Sequence, residues 1–157
     1  MLKFVEYKVT FSEFPDEISL CINLSNCPFK CVECHSTYLR EDIGNKLDWE
    51  TLNSLIKENA GITCVGFMGG DTDINSLNKL WENIKKEYPN LKVGWYSGNK
   101  TFNTESNLEV LNYIKIGPYI PQLGPLNNPN TNQQMFEVVR LENGKYDLLN
   151  ITYKFWK

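Results

Sequence analysis

Between Glu17 and Gly117 the chain alternates short apolar runs with amphipathic ones, and this alternation constrains the fold more than any other feature. "EISLCINL", Glu17 to Leu24, reads as a strand, with Ile18, Leu20 and Ile22 on one face and Cys21 and Leu24 near the other. "LDWETLNSLIKENAG" reads as a helix: Asp48 is its N-cap, Trp49, Leu52, Leu55 and Ile56 form an apolar stripe, and Gly61 stops it. "ITCVGF", Ile62 to Phe67, is a buried strand that runs into the glycine-bearing loop "MGGDTD". "INSLNKLWENIKKEY" returns to helical spacing with Ile74, Leu77, Leu80, Trp81 and Ile84. "LKVGWYSG" is a third strand, "TESNLEVLN" a short helix capped by Thr104, and "YIKIG", Tyr113 to Gly117, a fourth strand.

Strands that alternate with helices predict an α/β architecture of parallel strands joined by right-handed crossovers. Four such strands are too few to close an eight-stranded barrel. The expected shape is a small partial (open) β/α barrel with a mostly parallel sheet, one domain over residues 1–157. The alternation fails at Pro118–Gln134, where Pro, Asn and Gly crowd together without a period; a loop of that length in a compact domain points to function. "MFEVVRL" and "DLLNITYKFW" read as closing strands around "ENGK", a hairpin turn.

The composition is that of a soluble globular protein, and a net charge of −3 argues against a general nucleic-acid surface. Lys85 and Lys86, the one adjacent basic pair, read as a solvated helix face. With no apolar run long enough to span a membrane and no signal-peptide pattern at the start, the expectation is a cytoplasmic protein with no membrane partner.

Three of the five cysteines fall within "NCPFKCVECHSTY", as Cys27, Cys31 and Cys34 in a C-x3-C-x2-C spacing. The odd count and tight clustering do not fit a secreted disulfide framework. The triad directly follows the first strand, so it sits at the strand's carboxyl end, where α/β folds place their sites. Close thiolates select zinc or an iron–sulfur cluster. Structural zinc normally takes four protein ligands, and His35, adjacent to Cys34, is poorly placed to complete a tetrahedron, though a Cys3His site is the alternative reading. Three cysteines suit a [4Fe-4S] cluster with one iron left for a ligand that is not protein. Cys21 and Cys64, isolated on strands, read as small buried hydrophobes.

"CPFKCVEC" resembles the cluster motif of the radical S-adenosylmethionine (radical SAM) superfamily. The resemblance implies that Cys27, Cys31 and Cys34 hold a [4Fe-4S] cluster. Its open iron would chelate the amino and carboxylate groups of S-adenosylmethionine, whose reductive cleavage gives methionine and a 5′-deoxyadenosyl radical. "FMGGD", at the end of the second strand, is similar to the superfamily's GGE-type motif and implies that Gly69, Gly70 and Asp71 hold the amino group. Glycines let a backbone approach a ligand closely, and an acid suits an ammonium. Asp71 stands where Glu is commoner. Ser97, in "WYSG" on the same rim, is the candidate for the ribose or carboxylate.

"CPFKCVECHS", "GGD", "WYSG" and "YIKIGPYI…LGPLNNPNTNQQ" together resemble the anaerobic ribonucleotide reductase activating enzymes, over about Glu17 to Gln134. That implies an oxidoreductase that makes a glycyl radical in the C-terminal glycine loop of its partner, anaerobic ribonucleotide reductase. The reductant would be flavodoxin or ferredoxin, and a homodimer is left open. Asn132 and Gln133 would be backbone-binding amides for the partner's loop. Such chemistry needs no side-chain acid or base, in keeping with a single histidine and no Ser/His/Asp constellation. Glu33, before the third cysteine, departs from the family pattern and is expected to face solvent or a partner. The alternatives are an activase of another glycyl-radical enzyme, a peptide-modifying radical SAM enzyme, and a non-catalytic iron–sulfur or zinc module.

Overall fold

The computed structural model describes residues 1–25 and 42–156. Its strands are β1 (Lys3–Thr10), β2 (Ser19–Leu24), β3 (Asn45–Lys46), β4 (Cys64–Met68), β5 (Lys92–Tyr96), β6 (Tyr113–Ile116), β7 (Gln134–Arg140) and β8 (Tyr146–Asn150). They form one sheet in the order β3-β1-β2-β4-β5-β6-β7-β8. The central ladders β2–β4, β4–β5 and β5–β6 are parallel, and those on both flanks are antiparallel. The sheet is therefore mixed rather than mostly parallel. The difference begins with β1, whose Lys3, Glu6 and Lys8 interrupt its apolar residues. Such charges suit a strand near a sheet edge, with half of its residues exposed, and do not read as core.

Two helices, α1 (Trp49–Glu58) and α2 (Ile74–Glu87), link the first three parallel strands. Asp48 caps α1 by accepting from the Thr51 N–H at 2.9 Å, and Asp73 caps α2 by accepting from the Ser76 N–H at 3.2 Å. Leu52, Leu55 and Ile56 from α1 and Leu77, Leu80, Trp81 and Ile84 from α2 pack on Leu20, Ile22, Val65, Phe67, Val93, Trp95 and Ile114 of the sheet. Leu24 belongs to this same face, not to that of Cys21. Lys85 is not on a solvated face: its Nζ donates to the Leu91 carbonyl at 3.0 Å and to Asn112 Oδ1. Among the described residues, no helix is long and apolar enough to cross a membrane.

Two expected elements are replaced. Around Thr104 there is no α-helix, only a 3-10 turn at Leu108–Val110. Asn103 accepts from the Glu105 N–H through its side chain at 2.8 Å and from the Ser106 N–H through its carbonyl at 3.1 Å, a local turn that competes with helix. The last strand stops at Asn150, whose Oδ1 accepts from the Thr152 N–H at 3.0 Å and turns the chain into a 3-10 segment, Thr152–Phe155.

Among the described residues, the other face of the sheet carries no α-helix. Cys21, Gly66, Gly94 and Tyr113 lie side by side across β2, β4, β5 and β6. The two glycines leave a bed without side chains, and the fully buried ring of Phe14, from the loop after β1, lies in it. A Cβ added at Gly94 would stand 2.3 Å from that ring, and one at Gly66 2.5 Å. Tyr96 and Tyr113 flank Phe14 at centroid distances of 5.2 and 5.7 Å. Next to it, the buried Glu17 carboxylate accepts from Lys92 Nζ at 2.9 Å, the Tyr113 hydroxyl at 2.6 Å and Thr63 Oγ1 at 2.8 Å. Burial alone would raise the Glu17 pKa; the three hydrogen bonds outweigh it and hold the carboxyl below its usual range.

Replacing Phe14 by Ala is expected to cost about 3–5 kcal/mol in urea denaturation, and Gly94→Ala about 1–3 kcal/mol. Their coupling is the sharper test: in the Phe14→Ala background, Gly94→Ala should cost much less, because the atom it strikes is gone. For Glu17 the folded-state pKa is depressed, so its stabilisation is present above the unfolded pKa and is lost as pH falls through the folded one. Urea midpoints of the native protein should therefore drop through the acidic carboxylate range more steeply than those of Glu17→Gln.

Candidate functional site

Parallel register brings the carboxyl ends of β2, β4, β5 and β6 to one edge of the sheet. At this edge β2 hands over to Ser25, whose N–H donates to the Lys3 carbonyl at 3.0 Å. Cys27, Cys31 and Cys34, with Glu33 and His35, follow and lie outside the described residues.

Gly69 and Gly70 follow β4 with φ of 103° and 87°, the left-handed region that favours glycine. The Gly69 carbonyl accepts from the Trp95 indole N–H at 2.8 Å, and its N–H donates to the Tyr96 carbonyl at 3.0 Å, so the turn is fixed to β5 from both sides. A side chain at Gly70 would crowd Leu24 at 2.8 Å and Leu77 at 3.1 Å. Asp71 comes next, and its carboxylate accepts from Ser97 Oγ at the end of β5, with the Gly98 N–H at 3.5 Å. Ser97 is fully buried, and its N–H donates to the Lys115 carbonyl at 2.8 Å. Burial pushes the Asp71 carboxyl above its usual range; Ser97, Gly98 and the charge of Lys115 work in the opposite direction.

Lys115 is the residue that sequence reasoning missed. It is buried on β6, its Nζ lies 5.2 Å from the Tyr96 ring centroid, and it donates to the Gly117 carbonyl at 3.2 Å. The signal was available: a lysine inside the otherwise apolar "YIKIG" buries a charge, which happens only where something compensates it. Asn132 and Gln133 are turned toward their own chain. Asn132 Nδ2 donates to the Pro118 carbonyl at 3.0 Å, and Gln133 Nε2 reaches the Gly117 carbonyl at 3.4 Å. They brace the turn that leaves β6.

The remaining cysteines test which thiols suit a metal centre. Cys21 and Cys64 are buried on β2 and β4, and burial raises both thiols to about 12. Thiols so strongly held in the protonated form are poor ligands. Among the described residues no group of three or more His, Cys, Asp or Glu side chains could hold a metal ion. Neither described cysteine is thus suited to hold a cluster. The described edge offers a half-buried carboxylate, a buried lysine and glycine backbone, a set complementary to a small polar molecule that carries both an amine and a carboxylate.

No curated protein and no solved structure matches the chain. The 4Fe-4S single cluster domain family matches over residues 18–142, from the first residues of the central sheet through the triad to the end of β7. On a match over most of its length, the chain belongs to the 4Fe-4S single cluster domain family.

Proposed function

We propose that the protein is a radical SAM enzyme, an activase that generates a glycyl radical on anaerobic ribonucleotide reductase. The observation that carries this reading is the assembly of Asp71, Ser97 and Lys115 on the edge where β2 hands over to the triad. In this reading Cys27, Cys31 and Cys34 hold the [4Fe-4S] cluster, and the open sheet is the wall of a partial β/α barrel. When bound and reduced by a flavodoxin or ferredoxin, the cluster supplies the electron that cleaves S-adenosylmethionine. The chain's own residues bind and orient. The Gly69–Gly70 turn lets the backbone approach the ligand, and Asp71, positioned by Ser97, takes its ammonium. Lys115 takes its carboxylate. None of these residues moves a proton, because hydrogen-atom abstraction from a glycine needs no general acid or base.

A second reading, a non-catalytic iron–sulfur module, is favoured by the family match itself, which speaks only of a cluster. One experiment separates the two. The protein, reconstituted with iron and sulfide without oxygen, is given dithionite and S-adenosylmethionine and assayed for 5′-deoxyadenosine. The activase reading expects product. It also expects Cys27→Ser, Cys31→Ser or Cys34→Ser to lose both iron and product, whereas Cys21→Ala and Cys64→Ala keep both. A fully loaded protein that makes no 5′-deoxyadenosine sinks the enzyme reading and leaves the module.

Asp71→Asn tests the edge independently. It should weaken S-adenosylmethionine binding by tenfold or more, on the order of the 1.5–3 kcal/mol of a charged hydrogen bond. Stability should move the other way. A raised folded-state pKa means that the ionised form is disfavoured by folding, so a destabilising effect grows as pH rises through that pKa. Asp71→Asn should therefore melt higher than the native protein at neutral pH, and the gap should close in acid.

A further inference from the structure

A cleft of about 850 Å³ opens on the face that Phe14 covers, a size that suits a bound ligand. One wall is the loop that carries Phe14, with Glu13 and Asp16; the other is the C-terminal 3-10 segment, with Lys154 and Phe155. Tyr96 and Gln133 lie between them. The cleft adjoins the site at the carboxyl edge through shared groups. The Tyr96 ring faces Lys115, and Lys115 and Gln133 both donate to the Gly117 carbonyl.

Two groups in this cleft are left to meet a ligand. Glu13 makes no ion pair with any described residue. Its backbone carbonyl accepts from the Tyr96 hydroxyl at 2.5 Å, which anchors the residue against the aromatic wall. Its charge is felt there: burial first, and Glu13 second, make the Tyr96 hydroxyl and the Cys21 thiol hold their protons more tightly. Gln133 is buried, and its Oε1 accepts no hydrogen bond from the described residues. A carboxylate with no ion-pair partner among the described residues, set beside aromatic rings, favours a cation, and an amide oxygen that lines the cleft without a donor favours a peptide N–H. The chain supplies its own example of the complementarity, since Lys154 reaches across to Asp16 at 3.9 Å.

We propose that this cleft binds an extended polypeptide segment bearing a lysine or arginine, whose side chain meets Glu13 while a backbone N–H donates to Gln133. That the segment is the one to be activated rests on the function proposed above; the binding chemistry is the cleft's own. Glu13 is thus a specificity residue for the polypeptide.

The probe is a fluorescein-labelled octapeptide of Gly, Ser and Ala with one central Arg, compared with the same peptide carrying Glu. Fluorescence anisotropy at low salt, with the full chain, reads the affinity of each. The Arg peptide should bind several-fold more tightly, and added salt should erode the difference. Glu13→Gln should remove most of the preference, Glu13→Lys should reverse it, and Gln133→Leu should weaken both peptides alike. Equal binding of the two peptides, no binding of either, or a preference unchanged in Glu13→Lys overturns the proposal. The two readings fail separately. An arginine preference without 5′-deoxyadenosine keeps the cleft and removes the enzyme. 5′-Deoxyadenosine without an arginine preference does the reverse.

Discussion

The contact of Phe14 with the backbone of Gly66 and Gly94 sets the form of the face opposite α1 and α2. Neighbouring strands of a parallel sheet normally bury side chains on both faces. Here the two glycines, paired in register, leave a bare strip, and one aromatic ring from outside the parallel core fills it. The ring fixes the loop between β1 and β2, that loop fixes Glu13 and Glu17, and Glu13 holds Tyr96. The cleft, the aromatic support beneath Lys115 and the Glu17–Lys92 ion pair near the amino ends of the strands all follow from that packing.

Charge is distributed along the central strands with opposite logic at their two ends. Near the amino ends Glu17 is saturated by Lys92, Tyr113 and Thr63, and its pKa falls. At the carboxyl ends Asp71 has Ser97 and a distant Gly98 N–H, and its pKa rises. A carboxylate whose hydrogen-bonding capacity is filled stabilises the fold, whereas one that burial leaves short of partners is poised for a ligand. A carboxylate thus serves as a fastening at one end of the sheet, while at the other end a carboxylate keeps hydrogen-bonding capacity to spare.

The four central strands and both helices were legible because their apolar residues recur at strand and helix spacing and their caps are standard ones. Gly69, Gly70, Asp71 and Ser97 were legible as neighbours for a simple reason: each directly follows a parallel strand, and parallel strands end together. β1 was not legible, since an edge-flanking strand carries Glu6 and Lys8 where a core strand would carry apolar residues. The helix at Thr104 was lost to the Asn103 turn, a competition between local hydrogen bonds that periodicity does not report. Phe14 could not be found from its own neighbourhood in sequence, because its partners are two missing side chains on other strands. Lys115 was legible only as a lone charge within an apolar run that otherwise reads as core.

The indole of Trp95 has a use beyond packing. It is fully buried, its N–H is fixed to the Gly69 carbonyl, and its ring centroid lies 5.2 Å from that of Trp81 at an interplanar angle of 55°. Two chromophores held so close and so oblique couple electronically. The pair is therefore a built-in optical gauge of the glycine turn: any ligand that draws the Gly69 carbonyl away from the indole alters the emission and near-ultraviolet dichroism of this couple, with no label added.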